Sequence, residues 1–492
     1  MQYFLYNALQ SQQLDVAARQ DIPIDGYGLM CRAGRAAFDV LCDRWPAARR
    51  LLIVCGGGNN GGDGWVVARL AHLTGMKVTV CSTVPVDNLR DEAAKAYSDA
   101  VASGVEVTET PQCETNNYDV VVDALLGTGF KGGVRDDVAE WINWINESGL
   151  PVMSLDLPSG LVAAADVSPA CAVKADVTVA FIGWNVAHWT GPGRALCGEV
   201  LLRDLGVGRE TFKRCEFTAE LVGLHNIARL PRRGVATHKG HYGHVVAVGG
   251  ELGMGGAIAL AARAAQRSGA GLVSVFTRPE HVAGLNAAAP EIMVHGNNTA
   301  SDIGALLAAG RTLLLGPGLG KHAWGQALLQ LGLQHQLPSV IDADALNLVA
   351  ELGVEILRSL PACVISPHPG EAARLLGLSV AEVEANRLGA ARMLQQRSAA
   401  VVVLKGAGTI IDDGVRVSIC AHGNPGMASG GMGDVLSGII ASLMAQGMPV
   451  KEAARSAVVL HSAAADQLVA EFGEYGLAAS DVIPVVRALL NE

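Results

Sequence analysis

The sequence has no sustained basic run. Its 37 Lys and Arg are outnumbered by 47 Asp and Glu, for a net charge of −10. That balance excludes a general nucleic-acid or acidic-membrane binder but leaves room for a local phosphate pocket. No uncharged apolar stretch reaches membrane-spanning length, and the opening M-Q-Y-F-L-Y-N-A-L-Q carries neither a basic region nor a cleavage signature. There is no C-x-x-C among the ten cysteines, at 31, 42, 55, 81, 113, 171, 197, 215, 363 and 420. Scattered singly, they read as small core residues of a reduced, cytoplasmic protein. Aromatic residues make up only 4% of the chain, whereas glycine numbers 59 and half of all residues are hydrophobic. That profile suits α/β domains with small-residue turns at strand ends, and 492 residues allow two to four of them.

Opening helices are expected near 8–18 and 29–42. The run R-L-L-I-V-C (50–55) then reads as a strand, ends in G-G-G-N-N-G-G-D-G, and precedes a helix expected from Trp65 to Leu73. Strand, glycine loop and helix form a βα unit of the nucleotide-binding type, although the spacing is not G-x-G-x-x-G. Two more strands follow this plan. One begins Y-D-V-V-V-D-A-L-L-G-T-G-F-K-G-G at 118, with Asp123 and a loop from Gly127 to Gly133; the other is P-V-M-S-L-D-L-P-S-G (151–160), ending at Asp156. Runs at 175–181 and 198–206 close the sheet. Three strand ends thus bring Asn59, Asn60, Asp63, Asp123, Asp156 and Ser159 to one edge. Each alone reads most simply as a helix cap. Together, the amide, carboxylate and hydroxyl oxygens of Asn60, Asp123 and Ser159 suit a hard cation.

Residues 216–232 hold no glycine loop and end in Pro and Arg, so a linker is expected there between domains at 1–215 and 233–492. Strand-like runs at 244–250, 272–277, 312–320, 339–346, 363–371 and 400–409 alternate with helices, and their ends gather Asp342, Asp344, His368 and Lys405. Lys405 opens K-G-A-G-T, a cation beside bendable backbone amides, as phosphate recognition requires; the alternative is a solvated lysine. His368 lies between two prolines and cannot sit mid-helix, which leaves a site residue or a loop histidine bonded to backbone. The stretch N-P-G-M-A-S-G-G-M-G-D-V-L-S-G-I-I (424–440) turns from glycine loop into helix at Asp434. Glycines 430, 431 and 433 let the backbone approach a ligand, and the first-turn amides face an anion. A carboxylate there would repel that anion, so Asp434 reads as a base that takes the proton of an acceptor hydroxyl.

The motifs N-N-G-G-D-G, D-A-L-L-G-T-G-F and D-L-P-S-G, in this order, resemble the NAD(P)HX epimerase domain, a Rossmann-like three-layer fold that interconverts the two epimers of hydrated NADH and NADPH. The resemblance covers about the first 215 residues. It implies that Asn59, Asn60, Gly61, Gly62 and Asp63, with Gly127, Thr128, Gly129, Phe130, Lys131, Gly132 and Gly133, border the hydrate. It also implies that Asp156 contacts the hydrate, as the candidate acid or base, and that Asn60, Asp123 and Ser159 hold potassium.

Over 233–492, H-K-G-x-x-G, G-G-x-x-G-M-x-G-A, G-P-G-L-G, D-A-D-A-L-N, S-P-H-P-G-E, L-K-G-A-G-T and G-N-P-G-M-A-x-G-G-M-G-D-V-L-S-G are similar to ADP-dependent NAD(P)HX dehydratase, an α/β fold of the ribokinase-like superfamily. Carried over, Ala257, Gly318 or Gly320, and His368 border the hydrate. Lys405, Gly406, Ala407, Gly408, Thr409 and Gly433 contact the nucleotide, and Asp434 contacts the hydrate as base. Magnesium is expected beside the nucleotide phosphates and ADP as co-substrate. Together the halves resemble the bifunctional NAD(P)H-hydrate repair family: an isomerase fused to a lyase, with NADHX, NADPHX and ADP as partners, no nucleic-acid or membrane partner, and a homo-oligomeric state expected. The alternative is a ribokinase-like small-molecule kinase with a noncatalytic binding module.

Overall fold

The computed structural model describes residues 3–22, 24–108, 115–163, 169–300 and 303–492; Cys113 lies outside them. The chain divides into two compact units, Met1–Ala219 and Glu220–Glu492. Among the described residues, no helix is long and apolar enough to cross a membrane.

In the first unit, parallel strands run in the order Glu106–Thr108, Lys77–Ser82, Arg50–Cys55, Val120–Ala124, Val152–Leu155, Val177–Phe181, Glu199–Arg203. Their continuous apolar runs follow from burial on both faces. Leu51 and Ile53 pack with Phe38, Trp65 and Val66 on one side of the sheet, and Leu52 and Val54 with Trp141 and Ile142 on the other. This is helix, sheet, helix, the expected three layers. Strand order reverses between Arg50–Cys55 and Val120–Ala124, which opens a crevice at the carboxyl ends of these strands.

The helix after the first of these strands spans Asn59–Leu73. N-N-G-G-D-G is therefore its opening turns rather than a loop preceding a helix at Trp65, and the glycines are there for packing. A Cβ on Gly61 would lie 1.9 Å from the Gly56 carbonyl oxygen, one on Gly62 2.4 Å from Met30 Cε, and one on Gly64 2.6 Å from Ala124 Cβ. Ahead of the sheet, Asn7 opens the helix Ala8–Asp21 with a capping box, exchanging 3.0 Å bonds between its own and Gln10's side-chain oxygens and backbone N–H groups.

The second unit orders its strands Met293–Gly296, Leu272–Thr277, His244–Val248, Thr312–Leu315, Ser339–Ile341, Cys363–Ile365, Val401–Leu404, Ile410–Asp412, Val417–Cys420, Ala219–Val222. Order reverses between His244–Val248 and Thr312–Leu315. Ile410–Asp412 is antiparallel to both neighbours. The strand Ala219–Val222 falls inside the expected linker: its apolar Ala219, Leu221 and Val222 are buried, and it pairs in parallel with Val417–Cys420. The helix Met432–Ala445 is buried almost all round and packs on Gly255–Arg267, where a Cβ on Gly438 would lie 2.2 Å from the Ala261 carbonyl oxygen. Its largely apolar sequence, interrupted by Asp434 in the first turn and by Ser437 and Ser442, follows from that central position.

Candidate active site

At the switch point of the first unit lies a cavity of about 520 Å³. Gly58, Asn59, Asn60 and Asp63 line it from one strand end, Gly127, Thr128, Gly129 and Phe130 from the next, and Asp156 from the third. Gly61 and Gly62 are buried behind this wall, and Lys131, Gly132 and Gly133 are exposed beyond it. Asp156 sits at φ +62°, a left-handed backbone unusual outside glycine. His188 holds that turn: the backbone N–H of Asn185 donates to its Nδ1 at 3.0 Å, so Nε2 carries the proton and donates to the Asp156 carbonyl at 2.7 Å. Burial lowers the His188 pKa and keeps the ring neutral. Thr128 donates to Asp156 Oδ2 from its backbone N–H, at 2.6 Å, and from its hydroxyl. A Cβ on Gly127 would lie 2.7 Å from that same oxygen, so glycine lets the loop close over Asp156.

Asp123 is fully buried. It accepts from the Ser159 hydroxyl at 2.5 Å, the Ser159 N–H at 2.9 Å, the Ser154 hydroxyl at 2.7 Å and the Leu125 N–H at 3.3 Å. Burial raises its pKa, and the Ser159 and Ser154 bonds oppose that. Asn60 donates through Nδ2 to the Leu126 carbonyl at 2.9 Å, and Ser159 Oγ lies 3.3 Å from that same carbonyl. Asn60 Oδ1 is buried without a hydrogen-bond partner. The Asn60 amide oxygen is thus left open while its Nδ2 is tied to the same Leu126 carbonyl that Ser159 approaches, and amide, carboxylate and hydroxyl oxygens are the donor types a hard cation takes.

In the second unit, Gly431 enters the helix Met432–Ala445 at φ +88°, and Asp434 falls in its first turn. Lys405 Nζ lies 3.0 Å from Asp342 Oδ1 and 3.8 Å from Glu371 Oε2. A Cβ on Gly433 would lie 3.2 Å from Lys405 Nζ and 3.9 Å from Asp342 Oδ2, so ammonium, carboxylate and helix start meet at one point. Asp342 is 1% exposed and occupies an N-cap position, yet makes no capping bond, and its Oδ2 has no partner. Burial, then Asp342, push Asp434 up to about 7 against the pull of Lys405. Burial likewise pushes Glu371 up to about 7. For Lys405, burial acts downward, but Asp342 and Glu371 outweigh it and the net shift is upward. The cluster therefore holds a charged ammonium beside a carboxyl poised near neutrality.

The remaining residues divide. His368 caps the helix Pro369–Leu376: its Nδ1 accepts the Gly370 N–H at 3.0 Å, and its backbone N–H donates to Glu371 at 2.8 Å. The backbone-bonded reading is thus realised at Nδ1, while Nε2 lies 3.5 Å from Glu371 Oε1. Gly318, at φ +58°, packs against Met254 and Ala257, and the Gly320 N–H donates to Asp344 Oδ2 at 3.0 Å. Gly406 and Ala407 are exposed, Gly408 is buried, and the Thr409 hydroxyl donates to the Gly406 carbonyl at 3.2 Å. Beneath them lies Arg387, 1% exposed, with NH2 3.3 Å from the Lys405 carbonyl. Glu371 closes S-P-H-P-G-E, where sequence alone assigns it no role, and the motifs contain neither Arg387 nor, in the first cavity, Asp15 and Asn185.

A reversed parallel sheet with a glycine-entered helix carrying Asp434 defines the second unit as a ribokinase-like α/β domain, joined to a Rossmann-like first unit. Residues 245–486 match the family model described as NAD(P)H-hydrate dehydratase, and residues 26–187 match the YjeF-related protein N-terminus. The chain is 44% identical over 492 residues to a bifunctional NAD(P)H-hydrate repair enzyme of Coxiella burnetii, covering 99% of each. With the enzyme of the same name from Escherichia coli it shares 42% over 471 residues, covering 94% of this chain and 90% of that one. A solved ribokinase-like superfamily protein from Enterococcus faecalis V583 is 30% identical, covers 55% of this chain and 95% of its own, and superposes with a TM-score of 0.51. The chain belongs to the family of bifunctional NAD(P)H-hydrate repair enzymes.

Proposed function

We propose that this protein repairs hydrated NADH and NADPH: residues 1–215 epimerise the R and S hydrates, and residues 233–492 dehydrate the S epimer with ADP, releasing AMP and phosphate. The observation that carries the reading is the meeting of Lys405, Asp342 and the amides around Gly433 beside Asp434. Hydroxide is a poor leaving group, so the ring hydroxyl needs activation before it can depart. Asp434 accepts the hydroxyl proton as the terminal phosphoryl of ADP moves to that oxygen. The Gly430–Gly433 backbone amides and Lys405 balance charge on the moving group. The lone pair of the ring nitrogen then expels phosphate, the adjacent ring carbon gives up a proton, and NAD(P)H forms. A base near pH 7 suits this exchange, because it can take a proton and return it to departing phosphate.

Potassium fits the Asn60, Asp123 and Ser159 oxygens, where it would neutralise the buried carboxylate and fix the loop after Ala124. Magnesium is not assigned a protein cage: among the described residues no group of three or more His, Cys, Asp or Glu side chains gathers to hold a metal ion. Scattered cysteines support a cytoplasmic setting. The test mixes hydrated NADH epimers, protein and ADP, and follows recovery of dihydronicotinamide absorbance. Wild type restores it with AMP and phosphate as products, and Asp434→Asn slows it by about 100-fold or more. A phosphorylated product that accumulates, or an Asp434→Asn variant as fast as wild type, rejects the mechanism.

A further inference from the structure

The cavity of the first unit has a fourth wall that none of the three glycine motifs supplies. The helix Ala8–Asp21 contributes Asp15 to it, and the short strand Trp184–Asn185 contributes Asn185 at its end. The helix is rigidly held: Leu14 and Ala18 are buried against Tyr6, Ile182 and Leu205, and Asp21 at its end binds Arg214 and the Thr211 hydroxyl. Asp15, next to Leu14, lines the cavity from its solvent-exposed side. Asn185 is 2% exposed. Its Oδ1 accepts the Ala187 N–H at 2.9 Å, which fixes the amide's orientation, and its Nδ2 is buried with no acceptor. A buried N–H without an acceptor is costly unless a ligand supplies the oxygen.

Epimerising a ring carbon that bears a hydroxyl and adjoins a ring nitrogen needs proton exchange at two atoms. One group must take the hydroxyl proton while another delivers a proton to nitrogen as the carbon–nitrogen bond opens. Asp156 can serve the first, since two Thr128 donors hold its Oδ2 and orient the carboxylate in the cavity.

Resting on the epimerase reading of this unit, we propose that Asp15 is the second proton-transfer residue, exchanging a proton with the ring nitrogen while Asp156 exchanges one with the hydroxyl, and that the Asn185 amide holds the hydroxyl oxygen. Asp156 removes the O–H proton and the oxygen lone pair forms a carbonyl. The carbon–nitrogen bond breaks, its electron pair passes to nitrogen, and nitrogen takes the Asp15 proton. Rotation about the carbon–carbon bond next to the carbonyl presents the other face. Reclosure returns the proton on nitrogen to Asp15 and the one on Asp156 to oxygen, so nothing is gained or lost.

Arg19 on its own helix, Asp63 from Asn59–Leu73 and Asp156 act on Asp15 electrostatically, and Glu92 from Asp91–Ala102 lines the same cavity. Asp15 is exposed to solvent at the cavity, yet the protein packed around it and then Asp156 push its carboxyl up to about 7 against Arg19, so near neutral pH it can both give and take a proton. Like carboxyls that share one cavity do not all ionise together.

Purified R hydrate is incubated without ADP, and formation of the S epimer is followed between about pH 5 and 9, with the spontaneous rate subtracted. Wild type loses rate on the alkaline side as its acid deprotonates. Asp15→Asn is expected to lose about 100-fold and that alkaline limb with it; an unchanged rate with the limb intact overturns the proposal. Should Asp15→Asn not fold, Asp15→Glu decides, a displaced limb supporting the assignment and an unmoved one refuting it. Asn185→Ala is expected to raise KM more than it lowers kcat, and an unaltered KM rejects the amide's role. If wild type itself gives no S epimer above the spontaneous rate, the epimerase reading fails, which is a separate result.

Discussion

Asp434 shows what a single residue's surroundings decide. Its position after glycines 430, 431 and 433 marked it as a base, but its proton affinity comes from burial and from Asp342 on another strand end. Raised to about 7 in the folded chain from an ordinary 3.8, it binds a proton more tightly folded than unfolded. Its ionisation therefore costs stability: that cost is absent below about pH 4, grows as pH rises to about 7, and is then constant. Asp434→Asn should accordingly unfold like wild type near pH 4 and become relatively more stable toward pH 8. The difference is at most about 4 kcal/mol, since Asp434 is only partly buried and solvent screens its charge. Thermal melts across that range check the sign. In wild type the dehydration rate should run the other way, falling as pH drops below about 7 and the base protonates.

At the scale of elements, glycine means two different things here. In the loop entering Met432–Ala445, Gly431 supplies a left-handed φ of +88°. In Asn59–Leu73, Gly61 is ordinary helix whose missing Cβ makes room for the Gly56 carbonyl, 1.9 Å from where that atom would be. Gly61→Ala should therefore destabilise the first unit by roughly 1–3 kcal/mol through overpacking and abolish epimerisation, leaving ADP-dependent dehydration of S hydrate. Limited proteolysis and the two separate assays check it. Sequence alone marks both stretches as glycine-rich turns between strand and helix, because composition does not reveal whether a glycine bends the chain or admits a neighbour. The strands Met293–Gly296 and Ala219–Val222, four residues each, were hidden because half their residues are not strongly apolar, unlike the all-buried runs that the sequence does mark.

For the molecule as a whole, joining an epimerase to a dehydratase that takes one epimer predicts a kinetic signature. With ADP in excess, wild type should consume a mixture of hydrates in one continuous phase. Asp156→Ala should consume the S fraction at the wild-type rate and the remainder only as fast as the epimers interconvert spontaneously. A single phase in that variant would remove Asp156 from the mechanism. Local pattern determined much about this protein: the two α/β halves, the strand ends that bear Asp123, Asp156 and Lys405, the glycine loop that leads to Asp434, and the motifs that carry its family. These survive in sequence because alternating apolar runs and glycine turns are written in neighbouring residues. Tertiary structure alone decided which side chains meet. Asp15 comes within reach of Asp156 from a helix that starts with an ordinary cap, Asp342 turns from its helix to Lys405, and Asn60 keeps an amide oxygen without a partner. Contacts among residues tens to more than a hundred positions apart depend on how the sheets stack and twist, and burial, which sets their proton affinities, exists only once the chain has closed around them.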